Sequence, residues 1–245
     1  ELCIRASFIR TVGTSEQAVG QAQAQIIERF GRSPSYVVSC AGVAPAGALL
    51  TSPVKMFTRA FDINAAANVV LAQAFLPAMI SNNHGHFMTV ASSASYFSLP
   101  NLCAYSMSKT AALAFLESLR AELRAVYKAC RVRTSVVTPT KVRTVLAEGL
   151  NEGDDDFLMP VLEPIQVARA MADTLNSGLS RNISLPLGSA LLPYLRALPE
   201  WYRGALRAMG NTDALGTPES ISRGQQALRG HQSNLDHMKK LGVHS

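Results

Sequence analysis

The chain has 245 residues, of which 48% are hydrophobic and 16% charged, enough for one domain of ordinary size with a substantial core and too apolar for a disordered or fibrous protein. Its formal charge of +6 and pI near 9.4 come from scattered basic residues without an aromatic-basic stripe or zinc spacing. This argues against nucleic acid and fits an anionic cofactor or an acidic membrane leaflet. In chain order, Glu1 to Val12 contains an apolar strand candidate, and Thr14-Ser15 followed by Glu16 to Phe30 predicts a capped amphipathic helix ending near Gly31. Tyr36 to Cys40 reads as a short buried strand breaking at Ala41-Gly42. Ser52-Pro53 opens a helical tract whose later part, Asn64 to Ile80, is apolar on nearly every side, as a helix against a sheet or a subunit interface is. His86 to Ser92 is the next strand. A helix from Tyr105 toward Tyr127 follows, then a strand at Val132 to Thr138. The alternation implies right-handed crossovers and a parallel sheet.

Lys141 to Pro160 is polar, acidic around Asp154-Asp155-Asp156 and without periodicity, which predicts a loop over the crevice mouth acting as a substrate lid. Glu163 to Leu175 is helical, and Asn182 to Leu185 is the last strand. Past Pro186 the chain combines apolar bulk, aromatics and arginines in Leu191 to Arg196 and Trp201 to Arg203. That composition suits a membrane surface, or packing against the parent domain or a second subunit. From Asn211 the tail is polar and expected to be loosely held. Cys3, Cys40, Cys103 and Cys130 are widely spaced in apolar or helix-like surroundings. They are expected as reduced, buried thiols, with neither a metal site nor a disulfide framework. No apolar run is expected to reach the roughly 18 to 20 residues that span a bilayer, and no targeting signal precedes the first strand.

The chemistry gathers in Ala104-Tyr105-Ser106-Met107-Ser108-Lys109. Tyr105 and Lys109 are four apart, with Ser92 thirteen residues upstream. A spacing of four on a helix puts both side chains on one face, so the Lys109 ammonium is expected to favour the Tyr105 phenolate. A Tyr and a Lys at that spacing also occur by chance as one packed ring and one solvated amine. The context favours function: a serine at the carboxyl end of a parallel strand points into the crevice where such sheets bind ligands.

Ser92, Tyr105 and Lys109, with Asn64 in Phe61-Asp62-Ile63-Asn64, resemble the catalytic tetrad of the short-chain dehydrogenase/reductase family. Phe75 to Met79, Asn83 to His86 and Thr89 to Ser92 are most similar to its retinol dehydrogenase and 17-beta-hydroxysteroid dehydrogenase-like branch, whose members act on lipophilic alcohols and ketones. The resemblance implies an α/β, doubly wound parallel sheet of Rossmann-like type. It implies Tyr105 as acid-base, Ser92 holding the substrate oxygen, and Lys109 both lowering the Tyr105 pKa and binding the nicotinamide ribose of NADP or NAD. Asn64 would hold a water that relays protons from Lys109.

Ser39-Cys40-Ala41-Gly42 resembles the family's Asn-Asn-Ala-Gly, and Pro139, Val142 and Thr144 fall on its Pro-Gly-x-x-x-Thr stretch. The cofactor set implied is therefore Cys40, Ala41, Gly42, Asn64, Tyr105, Lys109, Pro139, Val142 and Thr144. Thr140 replaces a glycine beside the nicotinamide. The family's opening strand and glycine-rich turn, which hold the pyrophosphate, are not in the chain, and Arg10 to Gly13 stand where an acidic residue would meet the adenine. The resemblance runs from about Ala6 to Pro186, so residues 1–186 are expected to form a Rossmann-like catalytic domain, N-terminally incomplete by about 60 to 80 residues. Residues 187–245 are expected to form a helical extension. An oxidoreductase acting on a small lipophilic substrate, homo-oligomeric, and cytoplasmic or peripheral on an intracellular membrane, is the reading. A cofactor-independent isomerase, cyclase or dehydratase reusing Ser92, Tyr105 and Lys109, and a non-catalytic dimeric module, are the alternatives.

Overall fold

The computed structural model describes residues 13–144, 146 and 160–209. The strand expected in Glu1 to Val12, most of the Lys141 to Pro160 loop and the tail from Asn211 lie outside the described residues.

The first helix, α1 (Glu16–Phe30), is set by its ends. Ser15 Oγ accepts the Ala18 N–H, and Gly31, at φ 72°, sends its own N–H back to the Ile27 carbonyl. Four strands follow, separated by helices: β1 (Tyr36–Ser39), β2 (Gly85–Val90), β3 (Val132–Pro139) and β4 (Asn182–Leu185). They pair in parallel in the order β1-β2-β3-β4. Adjacent residues of β2 and β3 alternate in direction. Phe87 and Val136 join Val19, Phe75, Leu76 and Leu116 on one face, while Met88 and Val137 meet Leu162 and Val167 on the other. Helices therefore cover both faces of the sheet, as an α/β doubly wound fold requires.

Two helices in tandem, α2 (Val54–Phe61) and α3 (Ala67–Ser81), are joined by a π-helical turn over Asp62–Ala66. This corrects one expectation. The continuous helix Val54–Ser81 holds an 18-residue window of mean hydropathy 1.6, long and apolar enough by composition to cross a membrane. Asn64, Asn68 and Gln73 interrupt any apolar run in sequence but are outvoted in the average. Phe75, Leu76 and Met79 of this helix lie in the core cluster, and the Gln23 side chain of α1 donates to the Ala74 carbonyl. The connection into β2 depends on Gly85, whose φ is +156° and where an added Cβ would stand 2.6 Å from Met79 Cγ and Sδ.

Two further expectations are corrected. The strand at Tyr36 is the edge of the sheet among the described residues, and it is only half covered: Tyr36 and Val38 are 53% and 40% exposed, while Val37 and Ser39 point inward. The thiols are not all buried either. Cys40 and Cys130 are exposed and Cys103 is half-buried, because Cys40 leaves the open edge strand and Cys130 follows the turn after α4 (Cys103–Ala125). Apolar neighbours in sequence do not turn a side chain inward.

Past the loop, α5 (Pro164–Ser177) opens with a capping box between Glu163 and Gln166 and packs on the second face. After β4 a short 3-10 turn (Leu187–Leu191) leads into α6 (Leu192–Leu195) and α7 (Glu200–Met209).

Candidate active site

β2 ends at Val90, and the Ala91 N–H donates to the Val137 carbonyl of β3 at 2.8 Å, which carries Ser92 to the carboxyl edge of the sheet. Ser92 is extended and buried, and its Oγ accepts the Ala94 N–H at 3.1 Å, capping the turn Ser93–Ser95. The chain then returns into α4, two residues before Tyr105. There the helical spacing places Lys109 beneath Tyr105, with its Nζ 6.0 Å from the centre of the phenol ring. Lys109 Nζ donates to the Val90 carbonyl at 2.8 Å, and the Ser92 hydroxyl faces the Tyr105 phenol closely enough to act on its acidity.

Asn64 reaches the same place from the π-helical turn. Its Oδ1 accepts the Val43 N–H and its Nδ2 donates to the Val43 carbonyl, both at 2.8 Å. The other Nδ2 proton goes to Ser108 Oγ, also at 2.8 Å, and Ser108 Oγ donates to the Tyr105 carbonyl at 2.7 Å. The Asn64 amide thus spends both donors on the scaffold, tying the segment after β1 to α4 and leaving no amide proton for the water expected there. Gly42 fits against this knot: a Cβ would lie 3.1 Å from Asn64 Oδ1 and 3.3 Å from Lys109 Nζ. Gly42, Asn64, Ser92, Tyr105 and Lys109 therefore converge on the carboxyl ends of parallel strands, where open α/β sheets bind ligands.

The electrostatics correct one part of the sequence reading. Lys109 is 4% exposed, and burial lowers its pKa to about 8, with a small opposing influence from Cys40. Burial also dominates at Tyr105 and raises its pKa, while the facing Ser92 hydroxyl pulls it down. The expected lowering by the Lys109 ammonium is not what the structure shows, because removal from water penalises both charged forms. At neutral pH Tyr105 is a protonated phenol, ready to donate.

A nicotinamide nucleotide fits the chain's own groups. An ammonium has three donors; among the described residues Lys109 places one on Val90, leaving others for a ribose diol. Thr140 Oγ1, after β3, is buried without a partner among the described residues. Cys40 and Ala41 leave the end of β1 exposed to solvent. Pro139 closes β3. Val142 bridges to Leu162, and Thr144 turns its hydroxyl back toward the Val142 carbonyl at 3.4 Å, so Pro139 stands at the carboxyl end of β3 and Val142 and Thr144 just past it, none of them in the Asn64 network.

Sequence reasoning missed Ser108, the bridge between Asn64 and Tyr105, and also Asn68. The Asn68 Nδ2 donates to the Asn64 carbonyl at 2.9 Å, and its Oδ1 accepts from Thr89 Oγ1 at 3.0 Å. Their signal was available: two asparagines four apart on an otherwise apolar helix share a face.

A profile of the short chain dehydrogenase family matches residues 3–155, and the chain belongs to that family. Its relatives include Estradiol 17-beta-dehydrogenase 11 of Homo sapiens, 37% identical over 175 residues (71% of this chain, 56% of that protein). Epidermal retinol dehydrogenase 2 of Mus musculus is 35% identical over 141 residues (58% and 45%), and Dehydrogenase RED3 of Cochliobolus heterostrophus is 40% identical over 122 residues (50% and 62%). The first two match the retinol and 17-beta-hydroxysteroid dehydrogenase branch seen in the sequence. The chain spans roughly half to three-fifths of the length of these relatives. A short-chain type dehydrogenase/reductase from Mycobacterium marinum shares the fold with a TM-score of 0.65 at 23% identity, covering 74% of each chain. A structure of ElxO with NADP bound aligns with a TM-score of 0.65 at 17% identity, covering 73% of this chain and 76% of that one.

Proposed function

We propose that the chain is the catalytic part of an oxidoreductase that interconverts a lipophilic alcohol with its ketone or aldehyde, using NADP or NAD, with Tyr105 as acid-base. The observation that supports it most is a buried lysine tied to the Val90 carbonyl beneath the Tyr105 ring, with the Ser92 hydroxyl facing the same phenol, all at the carboxyl edge of a parallel sheet. The bound nicotinamide would supply or accept the hydride. Ser92 and Tyr105 would hold the substrate oxygen between them, and Tyr105 would give it a proton in reduction or take one in oxidation. Lys109 would hold the ribose and keep a positive charge near the phenol oxygen. Asn64 and Ser108 fix α4 against the strand ends and so position Tyr105. The raised Tyr105 pKa favours reduction at neutral pH, with oxidation gaining as pH rises.

The test is a pair of measurements on wild type and Tyr105→Phe. NADPH or NADH should bind saturably to both, by fluorescence, and the variant should lose about 10³-fold in turnover of a hydrophobic ketone. Failure of both nucleotides to bind, with turnover of some substrate still dependent on Tyr105, would instead select the cofactor-independent enzyme. The reading includes peripheral contact with an intracellular membrane through the segment after β4, where Tyr194 and Trp201 are 73% and 75% exposed beside arginines.

A further inference from the structure

The stretch between Ser92 and Tyr105 is gripped by a helix from the far end of the described chain. Arg207 of α7 lays its guanidinium over the ring of buried Phe97, with Cζ 5.2 Å from the centroid. Its Nε donates to the neighbouring Ser98 carbonyl at 3.3 Å. The Arg207 Nη1 pairs with Glu200 Oε1 at 2.8 Å, and Arg203 pairs with the other oxygen of the same carboxylate. The Arg207 side chain is 20% exposed, so the contact is largely shielded from solvent. On its other side the stretch is held by the segment after β1, where the Gly47 N–H donates to the Asn101 carbonyl at 2.8 Å.

We propose that Arg207 is a positioning residue: by clamping Phe97 and Ser98 it sets the wall that links Ser92 to Tyr105, and through it α7 takes part in binding the lipophilic substrate. This rests on the Ser92 and Tyr105 reading above. The residue type is demanded by the geometry, because a planar guanidinium stacks on a ring while its in-plane Nε–H reaches a carbonyl. A lysine ammonium on a flexible stem cannot hold both at once. Ser92, Lys109 and Asn64 are held by hydrogen bonds that do not involve Arg207, and the Tyr105 backbone is held by Ser108, so these groups stay in place when the clamp opens.

The experiment compares wild type with Arg207→Lys and Arg207→Met, using a hydrophobic ketone and NADPH or NADH, whichever wild type binds. Both variants should raise KM about five-fold while kcat stays within about two-fold and the nucleotide Kd is unchanged, lysine failing to rescue. Amide exchange should quicken about ten-fold at Phe97 and Leu102 and not in α5. A fall in kcat at constant KM, rescue by lysine, or exchange that rises equally in α5 overturns the clamp. If wild type turns over no carbonyl or alcohol with either nucleotide, the oxidoreductase reading fails, and the exchange measurement alone decides whether the clamp exists.

Discussion

Lys109 shows how one residue can cost the fold what it gives to a site. Its folded pKa, about 8, lies below the ordinary 10.5, so the folded chain binds the proton less tightly than the unfolded one. Below pH 8 the burial penalty is present in full. Between pH 8 and 10.5 the unfolded chain carries more protons, so stability rises with pH as the penalty is relieved, by about 3 kcal/mol in all. Urea unfolding of wild type and Lys109→Met at pH 7.5, 9 and 10.5 should show this alkaline gain in wild type alone, while the variant loses turnover. Parallel curves would mean that Lys109 is more hydrated than its 4% exposure indicates. The spacing of Tyr105 and Lys109 was legible in the sequence because helical geometry is local. The sign of the Tyr105 shift was not, because burial is decided by what packs around the helix.

At the scale of elements, strand β2 ties the sheet together through a buried histidine. His86 pairs in register with Tyr36 of β1 and Arg133 of β3. Its Nε2 lies 2.8 Å from Ser135 Oγ, which also accepts the Arg181 N–H just before β4 at 2.9 Å. Burial, with the nearby Arg133, lowers the His86 pKa from 6.5 to about 4. The unfolded chain therefore takes up this proton first as pH falls, and stability is lost between pH 6.5 and 4, by about 3 kcal/mol. His86→Gln can keep a bond to Ser135 and removes the titration. Its stability should fall by about 2 to 3 kcal/mol less than wild type between pH 7 and 4.5, read by urea unfolding. An equal loss in both proteins would assign the acid sensitivity elsewhere. Most elements were legible to within a residue or two, α1 and β4 without error, since Ser15 and Gly31 mark one and turn residues bound the other. The π-helical turn at Asp62–Ala66 was not, because it arises where Asn64 reaches Val43 and Ser108, partners far along the chain.

At the scale of the molecule, the described C-terminal segment faces two ways. Arg207 turns inward onto the Ser92–Tyr105 stretch, while Leu187, Leu191, Tyr194 and Trp201 remain exposed. Sedimentation with vesicles containing acidic lipid should carry the protein down, and Trp201→Ser with Tyr194→Ser should release it. Wild type wholly in the supernatant removes the membrane proposal. The amino-acid order by itself determined what depends on near neighbours: helix caps, alternating strands, one face shared by Tyr105 and Lys109, and the wording that resembles the family. Tertiary structure decided what depends on distant partners, such as Arg207 reaching Ser98 across 109 residues and Asn64 reaching Ser108 across 44. Only packing removes water from Lys109 and Tyr105, and that removal, more than any spacing, sets how readily each holds its proton.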